Sequence, residues 1–244
     1  MKRLVCVALV GFAGTANAAK HPRFEPTDLE LEVPGTTEID LQLGLVHGPQ
    51  AWRVVVPDFE LDLGLLSNVE LDLDGAYAIE GDHQVPDDLW PSVKIGLGDW
   101  HDAVAQRAWA IGIQAGPKLP IAPDSHGVGV EGLALMAHVA GRVHVVFNVG
   151  GLVDPRSGAT ARPVGVEAGV DLEVEVVADS WSLLGEIGGV HYRSADADQL
   201  ATTCGVQYSP NARIDLSLVA LVGLASGSDR FGLLFGVATK LGVW

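Results

Sequence analysis

The sequence predicts an all-β chain: a transmembrane, antiparallel, up-and-down β-barrel of about twelve strands. Three observations carry that prediction. Apolar and polar residues alternate at period two from Val69 to Glu80, and again from Val164 to Val176, where Glu167, Asp171, Glu173 and Glu175 sit between valines and leucines. Such alternation marks a strand with one apolar and one polar face. Most alternating segments are long enough to cross a bilayer, which takes about 9–11 tilted residues, whereas globular strands average about five or six. The connections alternate as well, tight turns with longer loops, as in barrels that keep short turns on the periplasmic side.

Taken from the amino terminus, the first element is a secretory signal over residues 1–18. Lys2 and Arg3 precede an apolar run from Leu4 to Ala13, and Ala16 and Ala18 supply the small residues of a cleavage site. The run is too short to span a membrane. Cys6 leaves with the signal, so Cys204 is the sole mature cysteine and an internal disulfide is excluded. Residues 19–36 read as a periplasmic leader, and residues 37–244 as the outer-membrane barrel.

Within 37–244 the alternation assigns strands to 37–47, 51–66, 69–80, 91–99, 107–118, 127–139, 143–153, 163–177, 181–193, 199–208, 213–224 and 231–243. Ser67-Asn68, Gly141-Arg142, Ala178-Asp179-Ser180 and Pro210-Asn211 are the tight turns. The longer connections 81–90, 119–126, 153–162 and 194–198 are rich in Pro, Gly, Asp and Ser. Trp52, Trp90, Trp100, Trp109, Trp181, Tyr192 and Tyr208 fall near strand ends, where an aromatic girdle would meet the headgroups. The last segment alternates through Phe231, Leu233, Phe235, Val237, Leu241 and Val243, and ends at Trp244. A terminal aromatic after alternating apolar residues is the signal that barrel-assembly machinery reads, although Trp244 lies one residue out of register with the apolar face.

Composition narrows the class further. The formal net charge is −16, and it becomes more negative once Lys2 and Arg3 are removed, while 48% of the chain is hydrophobic. That balance argues against nucleic acid, which is bound through Lys and Arg on phosphates, and against disorder. A secreted soluble β-sandwich is the competing fold. It alternates in the same way but turns its apolar faces on one another, whereas a barrel turns them to lipid.

If the apolar face meets lipid, the polar face lines a lumen. Alternation then points Asp40, Glu60, Asp62, Glu70, Asp72, Asp74, Glu131, Glu167, Asp171, Glu173, Glu175, Glu186 and Asp215 inward, against Lys94, Lys118, Arg213 and Lys240. Glycines such as Gly44, Gly64, Gly96, Gly116 and Gly150 share that face. Keeping the faces in phase places Asp62 near Asp72 or Asp74, and Glu173 near Glu186. Twelve strands should leave a narrow lumen, since eight give an interior that side chains just fill. Like charges facing one another call for cations, protonation or bridging lysines.

Catalytic chemistry finds no foothold in the sequence. His138 and His144 flank Gly141-Arg142, but no Ser stands where a barrel phospholipase would need one. His83, His101 and His126 match no compact metal motif, so no cofactor, metal or catalytic residue is assigned.

From about Glu38 to Trp244 the chain resembles the outer-membrane barrels named for the meta-pathway of phenol degradation. Asp88-Leu89-Trp90 followed by Lys94 is similar to that family's Gly-Asp-Leu-x-Leu-x-x-Lys strand start, with Asp87 in place of the Gly, and Leu119-Pro120 closes a strand before a Gly-bearing loop. The resemblance implies a transporter of small molecules, aromatic or hydrophobic ones among them. The expected partners are outer-membrane lipid, the barrel-assembly machinery and an unknown small solute. The alternative is a structural or surface-binding barrel whose loops do the work, but its loops would be longer and richer in aromatics.

Overall fold

The computed structural model describes residues 31–48, 51–81, 83–86, 88–102, 107–121, 125–157, 163–193 and 197–242. The predicted signal 1–18, most of the leader and Trp244 lie outside the described residues. Twelve long strands form the fold: β1 (Thr36–His47), β2 (Trp52–Leu66), β3 (Val69–Glu80), β5 (Trp90–Asp102), β6 (Arg107–Lys118), β8 (Gly129–Ala140), β9 (Val143–Val153), β11 (Val164–Val177), β12 (Trp181–Tyr192), β13 (Gln199–Asn211), β14 (Ile214–Gly223) and β15 (Phe231–Gly242). Each pairs antiparallel with its neighbours, and β15 pairs with β1 over its whole length, from Thr36 opposite Gly242 to His47 opposite Phe231. The sheet therefore closes into an up-and-down barrel with no free edge, which satisfies backbone groups where no water could.

Three short strands lie in connections that the sequence assigned to loops. β4 (His83–Pro86) extends the loop end of β3, and β7 (Ser125–His126) pairs with β10 (Arg156–Ser157).

Burial inverts the order of a soluble protein, and this excludes the sandwich. Along β11, Val166 is 53% exposed and Val176 50%, while Glu167 and Asp171 are buried at 2% and 5%. Valines outside and carboxylates inside are what a barrel in lipid requires. The interior also holds apolar patches. One joins Val46, Val55, Ala78, Leu221 and Leu234, and another joins Trp90, Leu133, Leu135, Ala137 and Val146.

The turns at Ser67-Asn68, Gly141-Arg142 and 178–180 fall where the sequence puts them. Gly141 takes a φ of 61°, which a hairpin turn demands and a residue without Cβ adopts freely. The fourth turn is displaced. β13 runs through Pro210 to Asn211, because the register slips between Tyr208 and Asn211 and frees a residue without an N–H from the ladder. The turn is then Ala212-Arg213.

Trp90 and Tyr192 depart from the predicted girdle, both being buried inside the barrel. Their parity decides it: Trp90 shares a face with Ser92 and Lys94, and Tyr192 with Glu186. The other five aromatic residues of that set are exposed on the outer face. Trp109 stacks on His138 at 3.8 Å between ring centres, and Trp181 packs on Tyr208 at 4.7 Å.

Candidate functional site

Ladder register assembles the polar interior row by row. Glu38 stands opposite Asp62 and Asp62 opposite Asp72, while Asp40, Glu60 and Asp74 form the next row. Of the two partners the sequence allowed Asp62, the register selects Asp72. Glu70 faces Lys94 on β5, and the Lys94 ammonium donates to Glu70 Oε1 at 2.8 Å with both side chains buried. Gln114 Nε2 donates to Asp72 Oδ2 at 2.7 Å and to Ser92 Oγ at 2.8 Å, and Ser92 Oγ donates to Asp72 at 3.2 Å. Oxygens of Asp62, Glu70 and Asp72 lie within 4.8 Å of one another, close enough to share a cation. Spacing rules built on His and Cys motifs do not find such a group, because β2 and β3 bring it together across a hairpin.

A second cluster sits towards the loop end. Lys118 donates to Glu131 Oε2 at 2.6 Å and lies 3.6 Å from Asp154 Oδ1, and Tyr192 donates its hydroxyl to Asp154 Oδ2 at 3.3 Å. Glu167 is buried nearby on β11, where Glu131, Lys118 and Asp154 form its electrostatic surroundings. Asp154 is fully buried, yet sequence reasoning missed it because it lies just past β9 in an assigned loop. Arg53 and Asp229 form another ion pair that was missed. The β14–β15 connection folds inward here, burying Ser228 and Asp229, and Ser228 Oγ accepts from the Leu200 N–H while donating to its carbonyl.

Farther round the wall Asp171 faces Glu186, and Thr203 donates to Glu186 Oε2 at 3.2 Å. This corrects the expected pairing of Glu173 with Glu186. The hairpin closes tightly, Val177 opposite Trp181, and one irregularity follows between Glu175 and Val177, so Glu173 stands opposite Leu184 on that side and His144 on the other. Its carboxylate lies 3.9 Å from His144 Nδ1.

The remaining predicted residues gather at the turn end. Lys240 reaches Glu32 at 2.9 Å and Glu38 at 3.1 Å. Glu175 accepts the Asp179 N–H at 2.6 Å and so serves its own turn. Asp215 accepts from Ser209 Oγ. Arg213 does not join the interior: it is exposed in the Ala212-Arg213 turn, because β14 starts one residue later than the alternation suggested. At the opposite end His191 Nδ1 lies 2.9 Å from Asp198 Oδ2, and this bond, with one from the Tyr192 N–H, holds the Asp198 carboxyl below its usual value.

His138 is committed to Trp109 and, through Nδ1, to the Ala108 carbonyl at 3.0 Å. The apolar outer surface around a closed, carboxylate-rich interior defines the chain as a membrane-type β-barrel in architecture. Solved structures agree at the level of fold. The NanC porin superimposes with a TM-score of 0.61 at 10% identity, over 83% of this chain and 100% of the porin. An outer membrane channel from Pseudomonas putida F1 does so with a TM-score of 0.59 at 13% identity, over 87% of this chain and 97% of the channel. No family model matches the chain, and no curated protein matches it in sequence.

Proposed function

We propose that the chain is a bacterial outer-membrane conduit through which small molecules pass, with a carboxylate-lined lumen that favours cations. The observation that carries this reading is the pairing of an exposed apolar exterior with buried acids that outnumber the buried lysines. Fixed negative charge inside a low-dielectric wall concentrates counter-ions, and Asp and Glu rings recur where cations are favoured. The two neighbours described as a porin and an outer membrane channel support passage rather than catalysis. The inner apolar patch around Trp90, Leu133 and Leu135 supports the finer reading that hydrophobic or aromatic solutes are among those carried. Lipid of the outer membrane and the barrel-assembly machinery are the proposed partners.

Reconstitution tests this. The purified protein should fractionate with outer membranes, migrate faster on a denaturing gel before boiling than after, and conduct ions in a planar bilayer. Recovery as a soluble periplasmic monomer, or a folded barrel that passes neither ions nor radiolabelled aromatic solutes, would overturn it.

A further inference from the structure

The residues that precede β1 do not hang from the barrel; they enter it. Glu32 is buried, its backbone N–H donates to a Glu70 carboxylate oxygen on β3, and its own carboxylate accepts from Lys240 on β15 at 2.9 Å and from Thr36 Oγ1 at 2.8 Å. Gly35 N–H bonds the Gly64 carbonyl at 3.0 Å. A Cβ at Gly64 on β2 would overlap the carbonyl oxygens of Glu32 and Val33, and one at Gly96 on β5 would lie 2.8 Å from Leu31 Cδ1. Two inward-facing glycines thus make room for this segment.

The contacts span β15, β1, β2, β3 and β5, five consecutive strands of the ring. At about 4.8 Å between strands, that arc measures roughly 20 Å along the wall. The Glu32 and Val33 carbonyls abut β2 at Gly64, while the Leu31 side chain reaches β5 and the Glu32 carboxylate meets the Lys240 ammonium from β15, so the segment lies inside the ring against this whole arc.

We infer that residues 31–34 form an inward-folded plug that narrows the turn end of the lumen, latched by Glu32 to Lys240 and Glu70. The plug rests on the conduit reading for its purpose, but its seat can be tested separately. Opening requires the latch to release, after which residues 31–34 swing out of the lumen while the strand ladder from Thr36 onward stays intact.

The test uses the full mature chain with Cys204→Ser, an exposed residue, and adds Leu31→Cys with Gly96→Cys, since the Leu31 side chain reaches the space a Cβ at Gly96 would fill. A short thiol-specific cross-linker stands in where the two sulfurs do not meet directly. Folding is checked by gel migration without heating. Oxidation should form the disulfide and leave bilayer conductance low, and reduction in a Glu32→Gln background should raise conductance severalfold. Failure of both the disulfide and the short cross-link to form in a folded barrel would overturn the seat. A disulfide that forms, in a protein that conducts equally when oxidised, reduced or carrying Glu32→Gln, would overturn the plug and leave the conduit standing. A disulfide that forms in a barrel silent to ions and solutes in every state would instead overturn the conduit, and the plug's role with it.

Discussion

Lys94 and Glu70 form an ion pair with both side chains buried, and such pairs punish the loss of one partner more than the loss of both. Lys94→Met should destabilise the barrel by roughly 3–5 kcal/mol in urea titrations from lipid vesicles, while Lys94→Met with Glu70→Met should recover most of that loss. Equal destabilisation by the single and double variants would mean that the pair is hydrated and not buried. Glu32 makes a different prediction. Burial pushes its carboxyl up, but the Lys240 ammonium and the hydrogen bonds from Lys240 and Thr36 outweigh this and hold it below its ordinary value of 4.5. A depressed carboxyl contributes fully above the ordinary value and loses its contribution as pH falls through the lowered one. Lys240 on β15, Glu38 on β1 and Glu70 on β3 are the charged groups facing it. Protection of a Leu31→Cys thiol from a membrane-impermeant reagent should therefore hold from neutral pH to about 5 and weaken only in stronger acid. The alkylation would be done as a brief acid pulse followed by labelling at constant pH, and weakening near neutrality would reject the Glu32 latch.

At the scale of the strand, parity explains both what the sequence revealed and what it concealed. The acids that alternation assigned inward share the buried face of their strands, because one residue of slip would exchange all the faces and a strand with lipid on one side cannot tolerate that. Glu38 and Asp58 share that face too and were passed over. Alternation failed where a strand departs from strict period two. The tight turn closing Val177 on Trp181, with the irregularity between Glu175 and Val177, set Glu186 opposite Asp171 and not Glu173, and the irregularity between Tyr208 and Asn211 accompanies the turn's move onto Arg213. Asp154, Asp229 and Glu32 were illegible for another reason: they lie outside the strands and reach the interior through chain that folds inward, which periodicity cannot register. The faces give a direct comparison. Val170→Arg should cost roughly 2–4 kcal/mol if its site lies near the middle of the bilayer, whereas Asp171→Asn should fold as well as the parent. Folded yield in vesicles measures both, and the reverse ranking would turn the barrel inside out.

Across the whole molecule, the closed ring was legible from strand count and loop alternation, while the inward fold of the residues before β1 was not. If carboxylates govern passage, converting Asp62, Asp72, Asp74, Glu173 and Glu186 to the corresponding amides should move the reversal potential in a salt gradient towards anions. The shift should shrink as the ionic strength rises and the Debye length falls from about 10 Å at 0.1 M to about 3 Å at 1 M. An unchanged potential in a conducting protein would show that these groups lie off the path. The contact between Lys240 and Glu32 spans 208 positions, nearly the length of the chain. During assembly its two halves are therefore the first and last parts of the barrel to be made. Until β15 arrives at β1, Glu32 and Glu38 lack the ammonium group that accompanies them in the finished wall. A barrel missing its final strand would therefore keep an uncompensated acidic lip at Glu32 and Glu38, which the Lys240 ammonium of its own last strand neutralises.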